Sequence, residues 1–290
     1  MRAVFLADAH LRHPDDANYR ALLAFLAEQQ GQTDLLGLLG DICEFLVGYP
    51  HTVFPVYRPL FDALHRLQQS GTRLIYVEGN HDFHLAPYFD RHLPCQLFPD
   101  GGTIDLDGRR VFVAHGDLAN PADRDYRRLR GVLRSAPLRL LIRTLPAELT
   151  WRIARHASQA SRRTGDDKRR RWPTRDILLP YAADQLARGH QAVITGHFHQ
   201  PFREQLPGGE LIALGDWINQ YSYAVFEDGE FRLATYAPEN CRQPPVITSP
   251  APPPTTDPDR AAAEPCGRIV LRIPAWSQSR LNKAHKSYRR

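Results

Sequence analysis

The sequence has few cysteines and no long apolar run. Only four of its 290 residues are cysteine (Cys43, Cys95, Cys241 and Cys266), and none lies in a C-x-x-C pair. This argues against a disulfide framework and against a zinc finger. No stretch of about 18 uninterrupted apolar residues is present, so we expect no membrane-spanning helix. The apolar run at the N-terminus reaches Asp8 too soon for a signal peptide, and we expect a cytoplasmic protein.

Aromatic side chains are rare in the most basic part of the chain. The net charge is +5, and the excess comes from arginines between residues 124 and 175. Such a block indicates an anionic partner, namely a phosphate ester, an anionic lipid surface or a nucleic acid; for any single arginine a solvated helix face is the alternative. Single-stranded nucleic acids are bound by aromatic residues interleaved with basic ones. Only Trp151 is aromatic between Arg127 and Arg171, which argues against a nucleic-acid-binding protein.

Apolar runs alternate with amphipathic stretches in the first part of the chain. Ala3–Leu6, Leu35–Leu39 and Leu74–Val77 predict strands, whereas 19–29 and 59–69 have apolar side chains at helical spacing. A strand–helix–strand–helix–strand order favours a layered α/β domain whose chemistry lies at the carboxyl ends of the strands.

Further strands are predicted on both sides of two turns. Asp107-Gly108 and Asp228-Gly229 each separate two apolar runs, a pattern typical of hairpins. A buried strand is also predicted at Ala192–Thr195, and another at Leu211–Leu214.

Three parts of the chain differ in composition. Residues 1–117 and 181–240 are predicted to form the core domain. Residues 118–180 are rich in arginine and helical in pattern, and we interpret them as an inserted helical cap. Residues 241–290 are predicted to be a flexible tail, because Pro244 to Pro258 is a proline- and threonine-rich linker composition.

Five short polar segments each follow an apolar run. They are Asp8-x-His10, Gly40-Asp41, Gly79-Asn80-His81-Asp82, His115-Gly116 and Gly196-His197-x-His199. Residues two apart in an extended segment point the same way, so Asp8 with His10, and His197 with His199, can converge on one ion. Mixed oxygen and imidazole ligands favour Mn²⁺, Fe²⁺ or Zn²⁺ over Mg²⁺ or Ca²⁺. A carboxylate such as Asp41 can bridge two ions, which together suit phosphoryl displacement.

Together the five segments resemble the signature of the calcineurin-like metallophosphoesterase superfamily, and the resemblance covers about residues 1–237. It implies a layered β-sandwich flanked by helices and two divalent ions, with Mn²⁺ expected and Fe or Zn as alternatives. By this resemblance, the ligands of one ion are Asp8, His10, Asp41 and His199. The ligands of the other are Asp41, Asn80, His115 and His197. His81 resembles the outer-sphere catalytic histidine that contacts the phosphate and protonates the leaving group, with Asp82 orienting it.

A closer resemblance is to the UDP-2,3-diacylglucosamine hydrolases of lipid A synthesis. It is carried by Gly40-Asp41-Ile42-Cys43-Glu44-Phe45-Leu46-Val47-Gly48, by His115-Gly116-Asp117 and by Asp123-x-x-Tyr126 before the basic insertion. It implies hydrolysis of the substrate pyrophosphate to UMP and a lipid 1-phosphate, with the insertion as a lid over acyl chains. Peripheral contact with the inner membrane surface is a further expectation. The residues implied to face the substrate are Asn80, Asp123, Tyr126, Ser158 and His197.

Three alternatives remain open at this stage. His81 stands where close members of that family carry arginine, which favours a metallophosphoesterase acting on another nucleotide, phosphodiester or phosphoprotein. The arginine block suggests a nuclease. A non-catalytic interaction module is the third alternative, but such a module is expected to have lost ligands and none is missing in this sequence.

Overall fold

The computed structural model describes residues 1–145, 150 and 173–237. All of them belong to one compact unit. The predicted substrate residue Ser158, part of the predicted cap and the predicted tail at 241–290 lie outside the described residues. No helix of the described part is long and apolar enough to cross a membrane.

The described chain contains both strands and helices. The strands are β1 (Ala3–Leu6), β2 (Leu35–Leu38), β3 (Leu46–Val47), β4 (Arg73–Val77), β5 (Asp82–Phe83), β6 (Gln96–Phe98), β7 (Gly102–Leu106), β8 (Arg109–Ala114), β9 (Ala192–Thr195), β10 (Phe202–Leu206), β11 (Gly209–Ala213), β12 (Ser222–Glu227) and β13 (Glu230–Thr235). The α-helices are α1 (Ala17–Glu28), α2 (Arg58–Gln69), α3 (Ala86–His92), α4 (Arg124–Leu133), α5 (Ala136–Thr144) and α6 (Thr174–Ala187), and Pro55–Tyr57 forms a 3₁₀ turn.

Two large sheets face each other across a layer of apolar side chains. The first has the strand order β13-β12-β1-β2-β4-β6 and the second the order β10-β11-β9-β8-β7. Phe5 and Ile75 of the first sheet are buried in the same cluster as Val113 and Ile194 of the second. Their apolar surface is removed from water between the sheets, which stabilises the pair as a sandwich.

Helices cover the outer faces of this sandwich. Leu22 and Phe25 of α1 and Leu64 of α2 are buried with Val4 and Leu36 on the outer face of the first sheet. These positions follow the helical spacing that the sequence predicted, so each helix turns one apolar face to the sheet. The predicted fold class, a layered β-sandwich flanked by helices, is confirmed.

Helix α6 covers the second sheet and crosses residue 180. Leu178, Ala182 and Leu186 are buried with Val193 and Leu211 of strands β9 and β11. Contact with the second sheet therefore begins before residue 181, where the sequence analysis placed the return of the core. The domain boundaries stay a prediction.

Two arginines of the basic block attach helix α4 to the core. The guanidinium of Arg130 lies 2.7 Å from a carboxylate oxygen of Asp117 and of Asp100. Arg134 donates to Glu78 at 2.7 Å and to the carbonyl oxygen of Gly79 at 2.9 Å. These two side chains are therefore paired with groups of the protein itself, and they fix the start of the cap beside the loop that follows β4.

Candidate metal centre

Neighbouring parallel strands bring the five polar segments to one edge of the sandwich. In the first sheet β1, β2 and β4 are parallel neighbours, and they end shortly before Asp8, Asp41 and Asn80. In the second sheet β8 and β9 are parallel neighbours that end just before His115 and shortly before His197. Because the two sheets face each other, segments that lie far apart in the sequence meet at this edge.

Five of these residues have an unusual backbone conformation. The φ angles of Asp8, His10, Asp41, His197 and His199 are 54°, 44°, 54°, 71° and 54°. This left-handed region is rare for residues other than glycine and costs roughly 1–3 kcal/mol each. The turns direct the side chains away from the strand direction and into a common space, so the strain is concentrated where the ligands converge.

Three overlapping groups of side chains have the proximity that a metal ion requires. Within each group the candidate ligand atoms lie within 4.8 Å of one another. The groups are Asp8 with His10 and His199, His10 with Asp41 and His81, and Asp41 with His115 and His197. His10 and Asp41 each belong to two groups, which is the sharing that a dinuclear site needs.

Individual distances support this sharing. Asp41 Oδ2 lies 3.7 Å from His10 Nε2 and 3.5 Å from His115 Nε2. Asn80 Oδ1 lies 3.2 Å from His115 Nε2, which in turn lies 3.2 Å from Nδ1 of His197. All seven residues predicted as ligands are therefore assembled in one cluster, and none of them is displaced from it.

The carboxylates of Asp8 and Asp41 are buried beneath the imidazoles and carry negative charge at neutral pH. Burial alone would raise the pKa of both, but neighbouring histidines outweigh it and lower the pKa, His199 most strongly for Asp8 and His115 for Asp41. Buried anions need a compensating cation. The cluster is therefore suited to positive charge.

The imidazoles differ in their affinity for protons. Burial lowers the pKa of His10 and of His197 to about 4, so both offer a nitrogen lone pair at neutral pH. Burial also acts on His115 and His199, but the carboxylates, chiefly Asp41 and Asp8 respectively, outweigh it and raise the pKa to about 10 and about 9.

Two buried atoms at the centre of the cluster lack a hydrogen-bond partner. They are Oδ1 of Asp8 and Nδ1 of His10. An unpaired buried acceptor costs roughly 1–3 kcal/mol, so it is rarely kept without a ligand. Together with the imidazole and carboxylate donor set, an Asp8 oxygen that accepts no hydrogen bond although His199 Nε2 lies 3.3 Å away shows that these residues fit a divalent transition-metal ion.

We expect metal removal to lower the stability of the folded protein. A cation that binds only the native state stabilises it by about 2.7 kcal/mol per site at a free concentration about 100 times its Kd. Thermal unfolding of the chelated protein, followed with increasing Mn²⁺, checks this. Mg²⁺ at the same concentration is the control and should produce a smaller rise in Tm. A Tm that is unchanged by either ion would contradict the assignment of the cluster as a metal site.

His81 and Asp82 lie in the cluster but have different surroundings. His81 Nδ1 lies 2.8 Å from the carbonyl oxygen of Glu44, and its Nε2 lies 4.0 Å from Asp41 Oδ2. Asp82 does not hold this ring. Its carboxylate accepts hydrogen bonds from the backbone N–H groups of Asp41, Ile42 and Gly79 and from the hydroxyl of Tyr76.

This position of Asp82 differs from the orienting role that the sequence analysis gave it. Consecutive residues of an extended segment point to opposite sides, and Asp82 begins strand β5. Its side chain consequently points away from the ring of His81 and into the loops after β2 and β4. The ring of His81 is instead oriented by the backbone of Glu44.

The predicted substrate residues Asp123 and Tyr126 lie at the start of helix α4. The Asp123 carboxylate caps the helix by accepting from the backbone N–H of Tyr126 at 3.2 Å. The Tyr126 hydroxyl donates to Asp117 at 2.5 Å, and its ring centroid lies 6.3 Å from that of His197. Tyr126 thus borders the cluster. A contact of either residue with substrate stays a prediction.

Sequence reasoning gave no role to three residues that support the cluster. Glu44 is buried, with Oε2 3.9 Å from His10 Nδ1. Asp117 joins Tyr126 to Arg130. Tyr76 donates to Asp82 from within strand β4. The first two stand beside ligands in the quoted segments, which is a usable signal, but nothing in the sequence distinguishes Tyr76 from other buried aromatic residues.

Comparisons with known proteins agree with this geometry. Residues 1–201 match the family model described as calcineurin-like phosphoesterase. The UDP-2,3-diacylglucosamine hydrolase of Aeromonas salmonicida is 34% identical over 239 residues, covering 80% of this chain and 92% of that protein. The protein of the same name from Stenotrophomonas maltophilia is 33% identical over 251 residues, covering 82% and 100%. The similarity thus extends well beyond the five polar segments.

Proposed function

Because this chain belongs to the calcineurin-like phosphoesterase family, we propose that it hydrolyses the pyrophosphate of UDP-2,3-diacylglucosamine, giving UMP and the lipid 1-phosphate. Family membership makes the protein a hydrolase of phosphoester or pyrophosphate bonds. The observation that carries the proposal is the set of overlapping ligand groups joined by His10 and Asp41, in a chain whose relatives of that name match most of its length.

Two ions, Mn²⁺ in this proposal, are assigned to the cluster. Asp8, His10, Asp41 and His199 would hold one, and Asp41, Asn80, His115 and His197 would hold the other. When bound, such ions supply Lewis acidity and activate water for attack on phosphorus. The imidazole nitrogens favour Mn²⁺, Fe²⁺ or Zn²⁺ over the harder Mg²⁺.

His81 is proposed to transfer the proton to the leaving group. The carbonyl oxygen of Glu44, 2.8 Å away, accepts from Nδ1–H and so directs Nε2 towards the cluster. A ring held in this way needs no reorientation during the reaction, because Nε2 already faces the cluster where the leaving oxygen would take up the proton. Its side chain is 19% exposed, so a substrate phosphate can reach it from solvent.

A second candidate function is the hydrolysis of a different phosphate ester. The observation that favours it is His81 itself, which stands where the close family carries arginine. An arginine binds phosphate through two parallel hydrogen bonds, whereas an imidazole offers one. This difference affects the choice of substrate, while the ligand cluster serves either reaction.

A substrate panel with the purified protein in Mn²⁺ separates the two functions. We expect release of UMP from UDP-2,3-diacylglucosamine, with much slower hydrolysis of bis(p-nitrophenyl) phosphate. UDP-N-acetylglucosamine, which lacks the acyl chains, is the matched control and should react poorly. Rapid hydrolysis of the aryl ester with no turnover of the acylated sugar would overturn the proposed substrate and leave the second function.

Peripheral contact of a cytoplasmic protein with the inner membrane is also proposed. Four large apolar side chains of helices α4 and α5 are 52–66% exposed, namely Leu129, Val132, Leu140 and Leu141. Exposed arginines of the same helices, such as Arg128 and Arg139, would face anionic headgroups. Co-sedimentation should be stronger with vesicles containing phosphatidylglycerol than with pure phosphatidylcholine, and weaker for Leu140→Glu. Equal recovery in all supernatants would refute the contact.

A further inference from the structure

A buried carboxylate lies behind His199 on the side away from Asp8. Asp216 follows strand β11 and is 4% exposed. Its Oδ2 lies 3.7 Å from Nδ1 of His199, while Nε2 of the same ring lies 3.3 Å from Oδ1 of Asp8. The imidazole is therefore placed between two carboxylates, one in the ligand cluster and one in a separate loop.

The other oxygen of Asp216 is fully engaged by its own loop. Oδ1 accepts from the backbone N–H groups of Asn219, Ile218 and Gln220 at 2.7, 2.9 and 3.3 Å. The carbonyl oxygen of Asp216 accepts from Ser222 N–H at 3.0 Å. These bonds fix the carboxylate, so that Oδ2 keeps its direction towards His199.

The same loop also contacts the backbone of two predicted ligands. Trp217 N–H donates to the carbonyl oxygen of Asp8 at 3.1 Å. The side-chain amide of Gln220 donates to the carbonyl oxygen of His199 at 3.0 Å. Asp8 and His199 belong to one ligand group. The loop 215–220 thus sets the relative position of two side chains that come from opposite ends of the core.

We propose that Asp216 is a positioning residue whose negative charge, 3.7 Å from Nδ1 of His199, favours a proton on that nitrogen and thereby presents the lone pair of Nε2 to the ion shared with Asp8. A histidine that binds a metal through one ring nitrogen commonly donates from the other nitrogen to a carboxylate, which fixes the ring and increases its basicity. The inference rests on the proposed metal centre, since it assigns a role towards one of its two ions.

The second imidazole of this group has a comparable arrangement. Nδ1 of His10 faces Oε2 of the buried Glu44 at 3.9 Å, and its Nε2 lies 3.7 Å from Asp41. Both histidines that flank Asp8 therefore have a carboxylate behind Nδ1. Nδ1 of His10 makes no hydrogen bond, so the feature that the two rings share is a carboxylate within 4.0 Å of Nδ1.

The test compares Asp216→Asn with Asp216→Ala. Asparagine keeps one oxygen for the three loop N–H groups but turns an amide NH₂, which cannot accept, towards His199. We expect both variants to bind Mn²⁺ about 10–100-fold more weakly at one site, with the second site unchanged, as chelator competition would show. Asn219→Ala is the control, because that exposed side chain belongs to the same loop and its backbone N–H is retained.

Several outcomes would decide the matter. Wild-type affinity at both sites in Asp216→Asn, together with a loss in Asp216→Ala, would reduce Asp216 to a loop anchor and overturn the proposal. Failure of the wild-type protein to bind any Mn²⁺ would instead refute the metal centre itself. If neither variant folds, ¹⁵N NMR of the wild-type protein loaded with Zn²⁺ decides: a proton on Nδ1 of His199 supports the proposal, and a metal-bound Nδ1 overturns it.

Discussion

Replacing Asp41 by asparagine is expected to reduce kcat by roughly 10³-fold at saturating substrate. Loss of one contact that stabilises the transition state costs roughly 10²–10³-fold, and Asp41 belongs to two of the three ligand groups. The asparagine amide is neutral, so it does not offset the charge of two cations. It also has one oxygen where the carboxylate has two. The measurement is UMP release in Mn²⁺, together with the number of ions bound per chain.

Asp105→Asn is a suitable control for this variant. Asp105 accepts a hydrogen bond from Gly108 N–H in an exposed hairpin and belongs to none of the three ligand groups. It should keep wild-type kcat. Circular dichroism must show that Asp41→Asn is folded. A folded variant with wild-type activity and two bound ions would show that Asp41 is not a required ligand of the metal centre.

Replacing Gly79 by alanine is expected to disrupt the centre and to destabilise the fold. A Cβ atom at this position would lie 2.2 Å from Oδ1 of Asp41 and 2.6 Å from its backbone nitrogen, distances that no rotamer change can relieve for the backbone atom. Overpacking of this kind costs about 1–3 kcal/mol. We expect a lower Tm and loss of Mn²⁺ binding, measured by thermal unfolding and by metal analysis.

Gly131→Ala is the matched control, and we expect it not to lower the stability of the protein. Gly131 lies inside helix α4, and a Cβ atom there would meet nothing within 4 Å. Alanine in a helix interior is favoured over glycine by about 0.5–1 kcal/mol, so this variant should be at least as stable as the wild type. Equal behaviour of the two variants would show that the close approach of Gly79 to Asp41 is not required.

Much of the sandwich could be predicted because local pattern and final environment agree. Ala3–Leu6 is a buried strand within the bounds that the sequence indicated, and Asp107-Gly108 forms the predicted hairpin turn with positive φ at both residues. The two-residue strands β3 and β5 were missed, since a pair that short has no periodicity to detect. Helix α6 was not separated from the cap, because Pro180 lies within it.

The ligand cluster was more predictable than its support. Asp8, Asp41, Asn80 and His115 could be selected because each directly follows an apolar run, and parallel strands end at a common edge. The partners of Asp82 could not be deduced, because Asp41 N–H and Tyr76 reach it from other segments of the chain. The apolar pattern predicts where a strand ends and therefore where a ligand lies. It does not predict the conformations of the loops, and these loops decide which groups form hydrogen bonds with Asp82.

The contribution of both sheets to one cluster has a consequence for synthesis of the protein. Asp8 is translated about 190 positions before His197 and His199. A growing polypeptide on the ribosome cannot complete the proposed metal centre until strand β9 and the segment after it have emerged. Maturation of the hydrolase is therefore a late event, and a nascent chain halted before that point remains without activity.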